Sequence, residues 1–226
     1  MDALIQLWHT VVGPASSVIV ESAQTMDMPA LLALAAALGW ASGLRLYAVL
    51  FMAGFSGYMG WLALPHGLLL LQHPAMLVAS GFMLFVEFFA DKIPGVDSLW
   101  DMLHALIRVP GGAALAAGVF GADHATMAVV AALLGGSLAA ASFTTKATAR
   151  VSVNTSPEPF SNVAASLLED GLVVGAIWLA TQHPLLFGIA LLVTLVLMVL
   201  LLVTLFKFLK AIARRFGAWF NPAPAH

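Results

Sequence analysis

Long apolar stretches broken by isolated charges set the pattern of this chain. Met28 to about Gly54 is apolar except for Arg45, and no other Asp, Glu, Lys or Arg falls between Asp27 and Glu87. A helix needs about 20 such residues to cross a bilayer core, so this stretch predicts a first span. Gly57 to Gly67, with Pro65, predicts a turn flanked by Tyr58 and Trp61 as interfacial aromatics. A second span is expected from about Pro74 to Asp91, ended by Lys92-Ile93-Pro94-Gly95.

Val96 to Arg108 carries Asp97, Asp101, His104 and Arg108 on one stripe and Leu99, Leu103, Leu106 and Ile107 elsewhere. That pattern predicts a helix lying along the membrane surface. Pro110 to Gly121 is apolar but only about 18 Å long as a helix against a roughly 30 Å core, and it makes the third of six spans if it crosses. Further spans follow from Ala125 to about Thr145, Ser161 to about Gln182 and Leu185 to Phe206. The expectation is an all-α polytopic bundle of about six transmembrane helices with short interfacial helices.

Three regions result. Residues 1–27 read as an N-terminal interfacial segment, which lacks the basic n-region of a cleavable signal. Residues 28–210 form the transmembrane domain, and 211–226 a basic cytoplasmic tail. Six crossings with a cytoplasmic N-terminus would put Lys92, Arg108, Lys146, Arg150 and the C-terminal basic residues on the cytoplasmic side. Both termini are then cytoplasmic.

Composition narrows the class further. The chain has 226 residues, 62% hydrophobic and 9% charged, with a formal net charge of −2. Soluble domains carry roughly 25% charged residues, so lipid is the expected solvent. Nine Lys plus Arg offer no basic surface for nucleic acid. With no cysteine, thiolate catalysis and thiolate metal sites are excluded, and nothing calls for a cofactor. Expected partners are membrane lipids and a small cation or solute. Rows of Gly and Ala on the first and fourth spans also permit a homo-oligomer.

The charges suggest an internal repeat. Ala41, Ser42, Arg45, Ala48 and Val49 make a small-residue face with one cation, and Gly135, Ala139, Ser142, Lys146 and Ala149 make another. Ser80, Glu87 and Asp91 on the second span correspond in part to Asn162, Ser166, Glu169 and Asp170 on the fifth. Two halves, 28–122 and 123–210, with three spans each would form an inverted 3+3 repeat, an arrangement that places solute sites between the halves.

An unpaired charge in a membrane costs roughly 2.5 to 3.5 kcal/mol, so these groups should pair, protonate or meet water. Arg45 is expected to face Glu87 or Glu169, and Lys146 to serve the other half. Ser42, Arg45, Glu87, Asp91, Lys146, Ser166, Glu169 and Asp170 are the candidate ion or substrate site. Two cations against four carboxylates favour a positive cargo or proton uptake; the plain alternative is an ion-pair network that fixes helix register. Pro94, Asp97, Asp101, Glu158 and Asn162 border the acidic helices as candidate gating residues, with helix punctuation as their simpler role. Asp97, Asp101 and His104 have i, i+4, i+7 spacing suited to a divalent ion, although a solvated helix face explains the same pattern.

The segments LGWASGLRLYAVLF (Leu38 to Phe51), VEFFADKIPGVDSLWD (Val86 to Asp101), Gly135 through Lys146, and SPEPFSN (Ser156 to Asn162) followed by LLEDG resemble the bacterial membrane family catalogued as domain of unknown function 4126. The resemblance runs from about Leu31 to Phe208. It implies a bacterial inner (cytoplasmic) membrane location and draws attention to Arg45, Glu87, Asp91, Asp97, Asp101, Lys146, Glu158 and Glu169, but it implies no substrate. The expected function is a transporter or channel for a small cation or proton-coupled solute. A scaffold or lipid-handling protein is the alternative, and an intramembrane hydrolase or transferase using Asp97, Asp101 and His104 is a third class.

Overall fold

A computed structural model describes residues 26–91, 93, 96–153 and 159–220; the side chains of 97–98, 151–153, 159–162, 209 and 212–220 lie outside what it describes. The described residues form helices joined by short turns, without strands. In chain order they form α1 (Met28–Tyr58), a 3₁₀ segment (His66–Gln72), α2 (Pro74–Ala90), α3 (Val96–Phe120), α4 (Ala125–Val153), α5 (Pro159–Gln182) and α6 (Pro184–Phe220). The expected N-terminal helix of residues 1–27 falls almost wholly outside the described residues.

Helix starts follow their sequences. Asp27 caps α1, its carboxylate accepting from the Ala30 amide at 3.0 Å, with Pro29 in the first turn where its missing N–H costs nothing. His73 does the same for α2, its Nδ1 accepting from the Ala75 amide at 3.2 Å ahead of Pro74.

Five helices are long and apolar enough to cross a membrane: α1, Leu99–Phe120 of α3, Ala125–Arg150 of α4, Val163–Gln182 of α5 and Pro184–Phe208 of α6. The 3₁₀ segment and α2, bent by 69° at their junction, make a sixth candidate as one broken span. This reverses two expectations. Val96 to Arg108 is not a surface helix, because it runs straight through Pro110 into the apolar segment as one 25-residue helix. Pro110 interrupts only its own hydrogen bond, which membrane helices tolerate. The short element is α2, with 17 residues and about 25 Å of length.

The backbone of α1 breaks at Arg45, where φ −149° and ψ 88° are extended values. The chain turns back there, as its contacts with α5 record. Ahead of the break, Ala33 and Ala37 pack with Ala180 and Phe187 near the end of α5. Trp40 shares a cavity wall with Gly175 and Gly171 farther down α5. Arg45 reaches Ser166 and Asp170. Beyond the break, Ala48 and Met52 lie with Asp170 and Val174, and Phe55 and Ser56 with Trp178 and Gln182. Both arms therefore lie along α5 in opposite senses, with Arg45 at the apex. Met28 and Tyr58 end up at the same end of the bundle.

The first arm is the most tightly held segment. A Cβ added at Gly39 would fall 2.5 Å from the Cα of Gly135, so α1 and α4 touch backbone to backbone there. Gly43 meets the Ala139 carbonyl in the same way, and Gly112 of α3 closes against Ala139. These contacts put the first arm parallel to α4 and antiparallel to α3. The second arm packs against α2, with Gly54 near Leu77 and Phe51 over Gly81. From α2 to α6 the helices alternate in direction. An inverted repeat sets matching segments antiparallel; the segments after Arg45 alternate in that way, but the arm before it runs parallel to α4.

Candidate functional site

The break in α1 frees backbone groups that a continuous helix would satisfy, and side chains of α4 take them. Lys146 Nζ donates to the Leu44 carbonyl at 3.0 Å, and Ser142 Oγ donates to the Trp40 carbonyl at 2.6 Å. A cation at the carbonyl end of the first arm also suits the negative end of its dipole. Neither contact follows from hydropathy.

Around this apex, among the described residues, nine charged side chains from five helices form one connected set of ion pairs. Arg45 pairs with Asp91 at 3.0 Å, with Asp170 of α5, and more distantly with Glu87 at 3.9 Å. Arg108 of α3 bonds Glu87 at 2.6 Å and Asp101 at 2.7 Å. Lys146 pairs with Glu169 at 3.0 Å, Asp101 at 3.3 Å and Asp91 at 3.8 Å. Arg150 reaches Glu169 at 3.2 Å, the Asp91 carboxylate at 3.5 Å and the Asp91 backbone carbonyl at 3.0 Å. Asp91, the residue that ends α2, thus faces three cations.

Arg45, Glu87, Asp91 and Arg108 are 0% exposed, so these charges sit in protein rather than in lipid or bulk water. Asp170 differs. Its side chain is 34% exposed even though it holds Arg45, and it lines a cavity between α1, α2 and α5. Glu87 Oε2, Asp91 Oδ1, Asp101 Oδ2 and Arg45 Nε are buried without a hydrogen-bond partner among the described residues. The set is paired in charge yet short of hydrogen bonds. Leaving buried polar groups short of partners is costly, which marks the set as a candidate for a functional role.

Depth follows from the helix rise of about 1.5 Å per residue. Asp170 is 12 residues from the end of α5, about 18 Å, and Lys146 is 21 residues from the start of α4, about 32 Å, and both distances start at the same end of the bundle. The cluster therefore reaches from mid-bundle to one edge and is not confined to the midplane.

Several expected residues meet here: Arg45, Glu87, Asp91, Lys146, Ser166, Glu169 and Asp170. Ser166 contributes its hydroxyl and carbonyl to Arg45 at 3.4 and 3.5 Å. The expected partner Glu169 does not face Arg45; its neighbour Asp170 does, while Glu169 serves Lys146 and Arg150. Ser42 stays out of the cluster, its hydroxyl bonded back to the Leu38 carbonyl at 2.6 Å. Asp101, expected as a gating residue on a solvated face, is buried inside the set. Arg108 and Arg150, expected at the cytoplasmic surface, are core members.

The metal reading fares differently. Asp101 is held by Arg108 and Lys146, and His104 bonds the Trp100 carbonyl at 2.8 Å while stacking on the Trp100 ring. Neither is aimed at a shared ion, and no group of three His, Asp or Glu among the described residues could hold one. Pro94 and Glu158 lie outside the described residues, as do the side chains of Asp97 and Asn162.

Among the described residues, the charge count changes from two cations against four carboxylates to four against five. A family model described as Domain of unknown function (DUF4126) matches residues 32–204. The chain belongs to that family. The match takes in both arms of α1 and all nine charged side chains of the cluster. No curated protein and no solved structure matches the chain.

Proposed function

We propose that this protein is a membrane transporter that moves a small cation or a proton-coupled solute, with the doubled-back α1 as its moving element. The observation that carries the reading is the break in α1 at a fully buried arginine, held by carboxylates from two other helices. Irregular backbone at membrane depth is stable only inside protein or beside a solute path, and transporters place their sites at such breaks. Arg45 is shared between the α2 side, through Asp91 and Glu87, and the α5 side, through Asp170. A proton or cation arriving at the exposed Asp170 weakens the hold of α5 on the apex and leaves Arg45 to α2. The two arms can then shift against α5 without stranding a charge.

Sidedness fits the same reading. If α1 enters and leaves on one face, α2 to α6 make five crossings and the chain's two ends face opposite sides. Lys146, Arg150, Lys207, Lys210, Arg214 and Arg215 then fall at one end, and the connections 59–73, 121–124 and 182–184 at the other contain no Lys or Arg. The positive-inside rule makes the basic end cytoplasmic. This departs from the sequence expectation of two cytoplasmic termini, which counted α1 as a full crossing.

The reading is tested in sealed vesicles loaded with a pH-sensitive dye. Wild-type vesicles should carry protons or a cation down an imposed gradient, and Arg45→Gln and Asp170→Asn vesicles should lose at least nine-tenths of that flux. Equal flux in wild type, both folded variants and protein-free vesicles would leave the static scaffold as the better account.

A further inference from the structure

Between α1, α2 and α5 lies a cavity of about 400 Å³, walled by Ala48, Met52, Leu84, Phe85, Val173 and Val174. Its polar group is Asp170, placed halfway along α5. Two facts select what would occupy it. Among the described residues the ion-pair set holds five carboxylates and four cations, so one added positive charge would balance them, and Asp170 is the acid among them with substantial exposure. The remaining wall is apolar with an aromatic ring at Phe85, so the charge must come attached to an apolar body. The volume fits a body of several rings and exceeds a hydrated alkali ion.

We infer that this cavity binds an amphiphilic monovalent cation, an ammonium or phosphonium centre carried on a bulky apolar body, with Asp170 as its counter-ion. The inference rests on the transport reading and names the cargo class for that same site. A cation at Asp170 competes with Arg45 for the carboxylate, so occupancy of the cavity and release of the α1 apex become one event. A neutral body of equal size would bury the same apolar surface but leave Asp170 with Arg45. An anion would meet a carboxylate and a net negative set.

The probe is tetraphenylphosphonium, with tetraphenylborate as a control of matching shape and opposite charge. Equilibrium binding is measured on purified full-length protein in detergent, with protein-free micelles as blank. The expected result is saturable binding of tetraphenylphosphonium that tetraphenylborate does not displace. Asp170→Asn should weaken it at least tenfold, and Asp170→Glu should retain it. Val174→Trp, which fills the cavity at a half-exposed wall position and leaves every charge in place, should also weaken it at least tenfold; this variant decides the matter if Asp170→Asn does not fold. Unchanged binding in either weakened variant, displacement by the borate or absence of saturable binding overturns the inference. Saturable binding without any flux in vesicles overturns the transport reading and keeps the site. Arg45-dependent proton flux without tetraphenylphosphonium binding overturns the cargo class and keeps the transport reading.

Discussion

Arg108→Met isolates the energetics of the buried charges. The substitution keeps an apolar stem beside Phe143, whose ring centre lies 6.0 Å from the guanidinium, and removes two short ion pairs. The two acids left behind are not equally exposed to the loss. Asp101 retains Lys146 at 3.3 Å, whereas Glu87, 0% exposed, keeps Arg45 at 3.9 Å as its remaining ion pair among the described residues, with Lys146 acting on it from farther away. With charge centres about 4 Å apart and an effective dielectric constant of about 20, the lost Arg108–Glu87 attraction is on the order of 4 kcal/mol. Breaking one partner of a buried pair typically costs about 3–5 kcal/mol, so the two routes agree. Glu87→Gln in the Arg108→Met background removes the stranded charge and should recover about 2–3 kcal/mol, a coupling of the size direct neighbours show. The assay is reversible unfolding of wild type, both single variants and the double variant in mixed micelles, followed by helical signal. Additivity of the two single losses within about 0.5 kcal/mol, or a neutral Arg108→Met, would refute the reasoning.

Two further outcomes follow from the same geometry. Gly39→Val drives a branched side chain into the Gly135 backbone, where even a Cβ would lie 2.5 Å from the Cα, and should cost about 1–3 kcal/mol and lower the melting temperature in detergent. Because the ion pairs are enclosed, raising salt from about 0.05 to about 0.5 M should leave the wild-type melting temperature within about 2 °C, whereas a surface network would weaken as the Debye length shortens.

The sequence shows the apolar bundle and most of the buried charges, since an acid or base inside a long apolar helix stands out at once. Its misreadings have a common source. The stripe of Asp101, His104 and Arg108 has the period of a half-solvated helix, and periodicity marks a polar face without saying whether water or other charges lie against it. Arg108 faces Glu87 instead of solvent. The fold-back at Arg45 was hidden because neither Pro nor Gly occupies the position and the residues on both sides are equally apolar. Its trace in the sequence is indirect. A helical run of 31 residues exceeds the roughly 20 that a crossing needs, whereas the distribution of basic residues is the same whether or not the first segment crosses. Asp170 was harder still to distinguish from Glu169. Adjacent helical positions point about 100° apart, so the choice between them depends on how α5 is rotated against α1.

The central claim is that α1 enters and returns on one face, with Arg45 at its tip. Single cysteines in this cysteine-free chain test it directly, at Met28 before the first arm, Trp61 after the second and Lys207 on α6. A membrane-impermeant maleimide applied to intact cells should label the Met28→Cys and Trp61→Cys proteins, and should label Lys207→Cys only after the membrane is opened. Labelling of Met28→Cys and Trp61→Cys from opposite faces would contradict the fold-back and, with it, the account of Arg45 as the apex of a moving element.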